Sequence, residues 1–175
     1  MIPTLWNRFQ WKTTSSAAFP PLVAPFVIRY ARPEEKNAVL QVALLSLKMN
    51  TDWHDATTQA TLFIHEGLKQ AFLPENDPTC VVIAHGQRII GVSMFDPQPE
   101  AATHLLSGPW VVTEYRNRGF GTALLQASLT GLAERGVTEV CGITRTNTVV
   151  SRFVYPKFGG IASEYTFPLI KEDEK

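Results

Sequence analysis

Apolar and polar positions first alternate in a regular way at "FVIRYA", residues 26–31, the period-two pattern of a half-buried strand. Pro33, Glu34 and Glu35 follow, a proline and two acids of the kind that open a helix, and Ala38 to Leu47 continues as helix. The stretch "MNTDWHDATTQATLFIHEGLKQAF" predicts a second helix, with Leu62, Phe63, Glu66 and Gln70 at helical spacing and a stop at Pro74. Two β-rich runs, "TCVVIA" and "RIIGVSMF", flank His85-Gly86-Gln87 and predict a hairpin. "ATHLLSGPWVV" is a third strand, with a bulge or unpaired edge expected at Gly108-Pro109 because proline cannot donate to a ladder. Then come "TEYRNRGFG", a helix carrying Leu124, Leu125, Leu129 and Leu132 and ending near Gly136, a strand "TEVCGI", a polar turn "TRTN", a helix "TVVSRFVYPKF" stopped by Gly159-Gly160, and a last strand "IASEYTFPLI". Strands alternating with helices predict an α/β (α+β) sheet with flanking helices in one domain.

Residues 1–25 fit this pattern less well. Arg8, Lys12, a Thr/Ser run over residues 13–16 and no acid resemble the composition of a transit peptide, while Pro20, Pro21 and Pro25 break any helix in "AAFPPLVAPFVI". The segment is expected to be a flexible N-terminal arm, or a processed targeting segment, ahead of a domain over residues 26–175.

Composition narrows the partners. Sixteen Lys+Arg balance sixteen Asp+Glu, so no net field draws the chain to nucleic acid or to an anionic membrane. No apolar run approaches the roughly 20 residues of a bilayer span. Cys80 and Cys141 stand far apart in apolar stretches without CxxC spacing, which predicts reduced core thiols, a cytoplasmic setting and no metal site. A homodimer stays open.

"RNRGFGTALL", residues 116–125, is the candidate for chemistry. A loop that opens a helix presents N–H groups without intrahelical partners, and the helix dipole adds partial positive charge there, so an anion is favoured. Gly119 and Gly121 let the backbone approach it, and Arg116 and Arg118 add charge. The plainer alternative is a glycine-containing turn with solvated arginines. A P-loop is excluded because no lysine follows either glycine, and a dinucleotide fingerprint because position 124 is Leu and Glu139 precedes its strand.

With strand and helix around it, "VVTEYRNRGFGTALL" resembles the acyl-CoA loop of the GCN5-related N-acetyltransferase (GNAT) family, a strand ending in Val and then R-x-x-G-x-G at Arg116, Gly119 and Gly121. The resemblance implies that backbone groups of Val111 and Val112 bind the pantetheine arm of acetyl-CoA. It further implies that amides of Arg116, Asn117, Arg118, Gly119, Phe120, Gly121 and Thr122 cradle the pyrophosphate. A second segment, "NTVVSRFVYPKFGG", is similar to the family's N-x-x-(small)-x-x-x-Tyr-x-Lys-x-Gly pattern through Asn147, Ser151, Tyr155, Lys157 and Gly159. It implies that Asn147 and Ser151 face the cofactor and that Tyr155 is the general acid for the departing thiolate. The family's twisted mixed sheet is expected from about Phe26 to Lys171.

Helical spacing puts Asn147, Ser151 and Tyr155 on one polar face and Val149, Val150, Phe153 and Val154 on an apolar face expected to pack on the sheet. The sequence departs from the family at three points. Pro156 restricts Tyr155 and predicts a helix end or kink there, Gly160 replaces a common Phe and removes an aromatic anchor, and Thr113 replaces a frequent Pro. For the base, Pro109, Ser107 and Leu105 share the active-site parity, His104 has the opposite parity unless the bulge shifts register, and Glu114 reads as a surface acid. Trp53, His54, Asp55, Phe63, His65 and Glu66 are the candidates for acceptor selection, with Asp52, Asp55 and Glu66 able to meet a cation or simply to form a solvated face. The implied function is acetyl-CoA-dependent N-acetylation of a primary amine, on a small molecule or a peptide, by direct attack in a ternary complex. The alternative is a catalytically silent acyl-CoA-binding sensor.

Overall fold

Two largely apolar runs have no polar face, and each becomes a strand covered on both sides. The computed structural model describes residues 6–13 and 18–166. These runs are β3 (Cys80–His85) and β4 (Arg88–Phe95), numbered after β1 (Trp6–Lys12) and β2 (Phe26–Tyr30). Helices α1 (Lys36–Lys48) and α2 (Thr57–Ala71) precede them, and β5 (Leu105–Val111), α3 (Phe120–Glu134), β6 (Glu139–Arg145) and β7 (Ile161–Tyr165) follow. Alternate residues explain the double burial. Val81, Ile83, Ile90 and Phe95 pack with Leu124 and Leu132 of α3, while Val82, Val92 and Met94 pack with Val39 and Ala43 of α1 and Ile64 of α2.

The sheet runs β2-β3-β4-β5-β6-β1-β7, antiparallel throughout except between β5 and β6. Those two parallel strands pair at one position, Leu105 with Gly142, and then part. The expected irregularity lies just beyond: on β5 three steps from Ser107 to Trp110 face two on β4 from Met94 to Val92, a bulge at Gly108-Pro109. The sheet therefore opens a notch at its centre.

The expected flexible arm is corrected over residues 6–12. They form β1, which pairs with β6 from Trp6↔Arg145 to Lys12↔Glu139 and with β7 from Trp6↔Tyr165 to Gln10↔Ile161. Trp6 is buried on the α1 and α2 side, and Phe9 and Trp11 on the α3 side, so the stretch alternates as a two-faced strand does. Phe19 and Leu22 also pack against the core. Prolines 20, 21 and 25 rule out a helix in the connector without ruling out a strand before it. Residues 1–5 and 14–17 of the expected arm, and residues 167–170 of the expected last strand, lie outside the described residues.

The helix expected over "TVVSRFVYPKF" is also corrected. A wide turn covers Val150–Val154, where the Tyr155 N–H donates to the Val150 carbonyl five residues back, and a tight turn covers Lys157–Gly159. Pro156, which has no N–H, separates them. Cys80 and Cys141 are buried free thiols, and no helix among the described residues is long and apolar enough to cross a membrane.

Candidate active site

Where β5 and β6 part, a cleft of about 640 Å³ opens. One bank is the end of β5 and the loop to α3; the other is the segment from Thr144 to Lys157; residues 50–53, between α1 and α2, close one end.

The first bank is shaped by backbone conformation. A tight turn over Thr113–Tyr115 redirects the chain, Asn117 takes φ 61°, and Gly119 takes φ 82° immediately before the first residue of α3. A Cβ at Gly119 would meet nothing within 4 Å, so glycine is required there by the left-handed backbone and not by space. At Gly121 a Cβ would lie 3.7 Å from Val154 and 3.9 Å from Pro109, where it would narrow the cleft without a clash. The amides of Phe120, Gly121 and Thr122 stand in the first turn of α3, where intrahelical acceptors are lacking. Asn117, Gly119, Phe120, Gly121 and Thr122 all line the cleft.

The two valines separate. Val112 donates its N–H to the Ile90 carbonyl at 2.9 Å and accepts from the Tyr115 N–H at 2.9 Å, so the expectation that its backbone binds a cofactor is corrected. Antiparallel ladders alternate, and the Val112–Ile90 bond turns the backbone groups of Val111 the other way, into the notch left by β6. Val111 lines the cleft, and its carbonyl accepts from Arg116 Nε at 3.1 Å.

Arg116 lines the cleft, but its side chain points its charge elsewhere. Its guanidinium donates to the Val111 carbonyl, to Ser46 O at 2.8 Å and to Met49 O at 3.3 Å, fastening the C-terminal end of α1 to the loop. Carbonyls at a helix end attract a cation as an anion would. Arg118 is exposed, donates to Glu114 O at 3.2 Å and lies over the Tyr115 ring at 5.2 Å. The cation that reaches the start of α3 is Lys157, whose Nζ donates to Thr122 Oγ1 at 3.0 Å. Its place in the second motif was visible in the sequence; its charge at the first motif was not.

On the second bank the expected faces hold only in part: Val150 and Val154 pack on the core as expected, but their neighbours do not. Val149 and Phe153, expected against the sheet, are 53% and 58% exposed and line the cleft, while Ser151 and Tyr155 are buried. The wide turn breaks the four-residue spacing on which the expectation rested. Ser151 is corrected from cofactor binding: it exchanges hydrogen bonds of 3.0 to 3.1 Å with Thr148 and closes the turn. Asn147 is exposed, takes φ 66° and stands outside the lining.

Tyr155 lines the cleft although only 2% exposed. Its hydroxyl donates to the Gly108 carbonyl at the bulge at 3.1 Å, and burial pushes the phenol pKa well up. The ring stands edge-on to Phe9 at 5.3 Å and to Trp11 at 5.1 Å. Trp11 Nε1 donates to the carbonyls of Tyr155 and Lys157, both at 3.1 Å, across the proline break. Gly160 makes this approach possible, since a Cβ there would lie 2.5 Å from Trp11 Nε1. The aromatic anchor absent at Gly160 is thus supplied by β1.

His104 and Glu114 lie outside the lining, whereas Leu105, Ser107 and Pro109 line the cleft as their parity implied. His104 is buried, with Nδ1 accepting from the Cys141 N–H at 3.0 Å, and Glu114 faces Arg88 at 3.7 Å on the surface. Of the acceptor candidates, Asp52, Trp53 and Phe63 line the cleft, whereas His54, Asp55, His65 and Glu66 do not. Asp55 is held by Arg145 at 2.7 Å.

A family model described as Acetyltransferase (GNAT) family matches residues 45–159. Among solved structures, the chain is similar to a GCN5-related N-acetyltransferase from Sphaerobacter thermophilus, with TM-score 0.61 and 16% identity over 93% of this chain and 50% of that one. A GNAT-family acetyltransferase from Colwellia psychrerythraea has TM-score 0.59 and 14% identity, over 93% of this chain and 54% of that one. A conserved protein of unknown function from Staphylococcus epidermidis has TM-score 0.59 and 12% identity, over 92% and 58%. The chain thus spans little more than half the length of these relatives, and identities this low speak for the fold alone. No curated protein matches it in sequence.

Proposed function

Starting from the chain's membership of the GNAT acetyltransferase family, we propose that it moves an acetyl group from acetyl-CoA to a primary amine by direct attack in a ternary complex, with Tyr155 as general acid. The observation that carries this reading is the Tyr155 hydroxyl, set in the cleft wall at the parting of β5 and β6 with the start of α3 across from it. Acetyl-CoA supplies the thioester. The backbone of Val111 and the amides of Phe120, Gly121 and Thr122 would hold its pantetheine and pyrophosphate, with Asn117, Arg118 and Lys157 at the margin. Arg116 instead keeps the loop fastened to α1. The Tyr155 phenol, which burial pushes further above its ordinary range, is protonated at neutral pH, as a proton donor requires. The acetyltransferase unit includes β1, and we assign it to the cytoplasm, where its two buried thiols stay reduced.

A second reading draws on the lining: among the described residues no His or Glu faces the cleft, as in a silent acyl-CoA sensor. Thiol release from acetyl-CoA, measured against a panel of amines, separates the two. Release that depends on the amine supports the transferase; CoA binding with no release from any amine overturns it in favour of the sensor.

A further inference from the structure

We infer that the acceptor is a small primary amine bearing one positive charge on an aromatic or bulky apolar body, with Asp52 as the group that receives its ammonium; the inference rests on the acetyltransferase reading. Away from α3 the cleft is walled by Trp53, Phe63, Leu106, Trp110, Ile143 and Phe153. The rings are braced from behind. Trp53 lies 6.0 Å from Trp110, and Trp6 of β1 lies 5.9 Å from Trp53 and 5.7 Å from Phe63. Such a wall gains most from a flat or branched apolar body, because burying apolar surface and aligning rings are both favourable.

Charge defines the rest of the acceptor. Asp52 is the single carboxylate among the lining residues, and its Oδ2 is fixed by the Val149 N–H at 2.9 Å. The neighbouring guanidinium groups direct their hydrogen bonds elsewhere, although the Arg116 charge acts on Asp52 from nearby. Arg145 grips the Asp55 carboxylate and the Asp52 backbone carbonyl, and Arg116 binds Ser46, Met49 and Val111 carbonyls. No ion pair joins the Asp52 carboxylate to another described residue. One ammonium is matched there; a second would be buried beside rings without a counter-charge, at high cost.

Hydroxyl-rich acceptors meet mostly apolar walls, and three polar side chains at this end already hold an internal hydrogen bond. Asn50 Oδ1 accepts from the Asp52 N–H, Ser107 Oγ accepts from Trp110 Nε1, and Thr148 bonds Ser151. The transfer balances as follows. The ammonium loses one proton to solvent, and the amine nitrogen bonds the acetyl carbon while the carbon–sulfur bond breaks. The nitrogen sheds its second proton, and Tyr155 protonates the thiolate, then recovers a proton from water.

The test uses the full chain with 2-phenylethylamine, 1,4-diaminobutane and glucosamine, read by thiol release and, separately, by calorimetric binding to the CoA-loaded protein. The expected result is a kcat/KM for 2-phenylethylamine at least about tenfold above the other two, the scale on which an apolar pocket discriminates. Asp52→Asn keeps the acceptor for the Val149 N–H and removes the charge. It should lower kcat/KM for 2-phenylethylamine about tenfold with a raised KM, weaken its calorimetric binding to the CoA-loaded protein, and leave binding of neutral 2-phenylethanol unchanged. Preference for the diamine or the amino sugar overturns the inference while acetyl transfer stands, and so does an unchanged KM in Asp52→Asn. Binding of 2-phenylethylamine without thiol release keeps the recognition and overturns the transfer. Failure of 2-phenylethylamine to bind the CoA-loaded protein overturns the inference outright.

Discussion

The two banks of the cleft are built on different principles. The bank from Val111 to Thr122 is fixed mostly by its own neighbours in sequence: a tight turn, two left-handed residues and a helix start, with Arg116 as its long-range tie. The bank from Thr144 to Lys157 carries Tyr155, the proposed acid, on a broken helix, and its break is bridged by Trp11, a side chain from the other end of the chain. A cradle made of backbone tolerates exchange of most side chains on it. A side chain held by distant packing, as Tyr155 is, depends on every contact that aims it.

If that contrast holds, substitutions on one bank should damage chemistry and on the other, cofactor affinity. Tyr155→Phe is expected to have the largest effect. It keeps the ring against Phe9 and Trp11 and removes the proton donor, so kcat should fall about 10²-fold or more with CoA affinity unchanged by calorimetry. Because burial raises the phenol pKa, the wild-type rate should hold up to at least the ordinary phenol range near about pH 10 before its high-pH limb appears, a limb the mutant lacks. A Tyr155→Phe enzyme with the wild-type rate when chemistry is rate-limiting would remove the acid role.

Trp11→Phe comes next. It leaves two carbonyls at the break without their donor, each worth about 1 kcal/mol, so chemical denaturation should register a loss of about 1–3 kcal/mol. The rate should fall severalfold while CoA affinity stays within about twofold. Equal losses of rate and of CoA affinity would show that the banks are not independent.

Gly119→Ala should have the smallest effect and the opposite signature. The left-handed position costs an alanine about 1–2 kcal/mol, so the loop shifts to relieve it and CoA binding weakens by up to about tenfold, with kcat at saturating acetyl-CoA nearly unchanged. Unchanged CoA affinity in a folded variant would undo the phosphate-cradle reading of this loop.

What the sequence made legible follows the same contrast. Apolar runs announced β3 and β4, leucine spacing announced α3, and Gly108-Pro109 announced the bulge, because each signal lies within a few residues of the structure it specifies. The Gly119 turn was legible for that reason too. β1 was not, because prolines and a Thr/Ser run obscured the alternation of Trp6, Phe9 and Trp11 that was its signal. The orientation of residues 147–155 was lost because a wide turn does not keep helical spacing. Arg116 misled for another reason: a charge beside a glycine loop suits a phosphate, yet a helix end supplies carbonyls that suit it equally.

The place of β1 also sets a schedule. It is synthesised before either of the strands that flank it, since Trp6 pairs with both Arg145 and Tyr165. The hairpin of β3 and β4 can close as soon as it is made, but the slot between β6 and β7 stays empty until a loop of well over a hundred residues has closed, a slow step for any chain. Until then β6 and β7 each present an open edge to other nascent chains, and Tyr155 lacks the rings that aim it. The surroundings of Tyr155 are therefore assembled by the same late event that seals the sheet, so a partly folded molecule lacks both a closed sheet and a finished second bank.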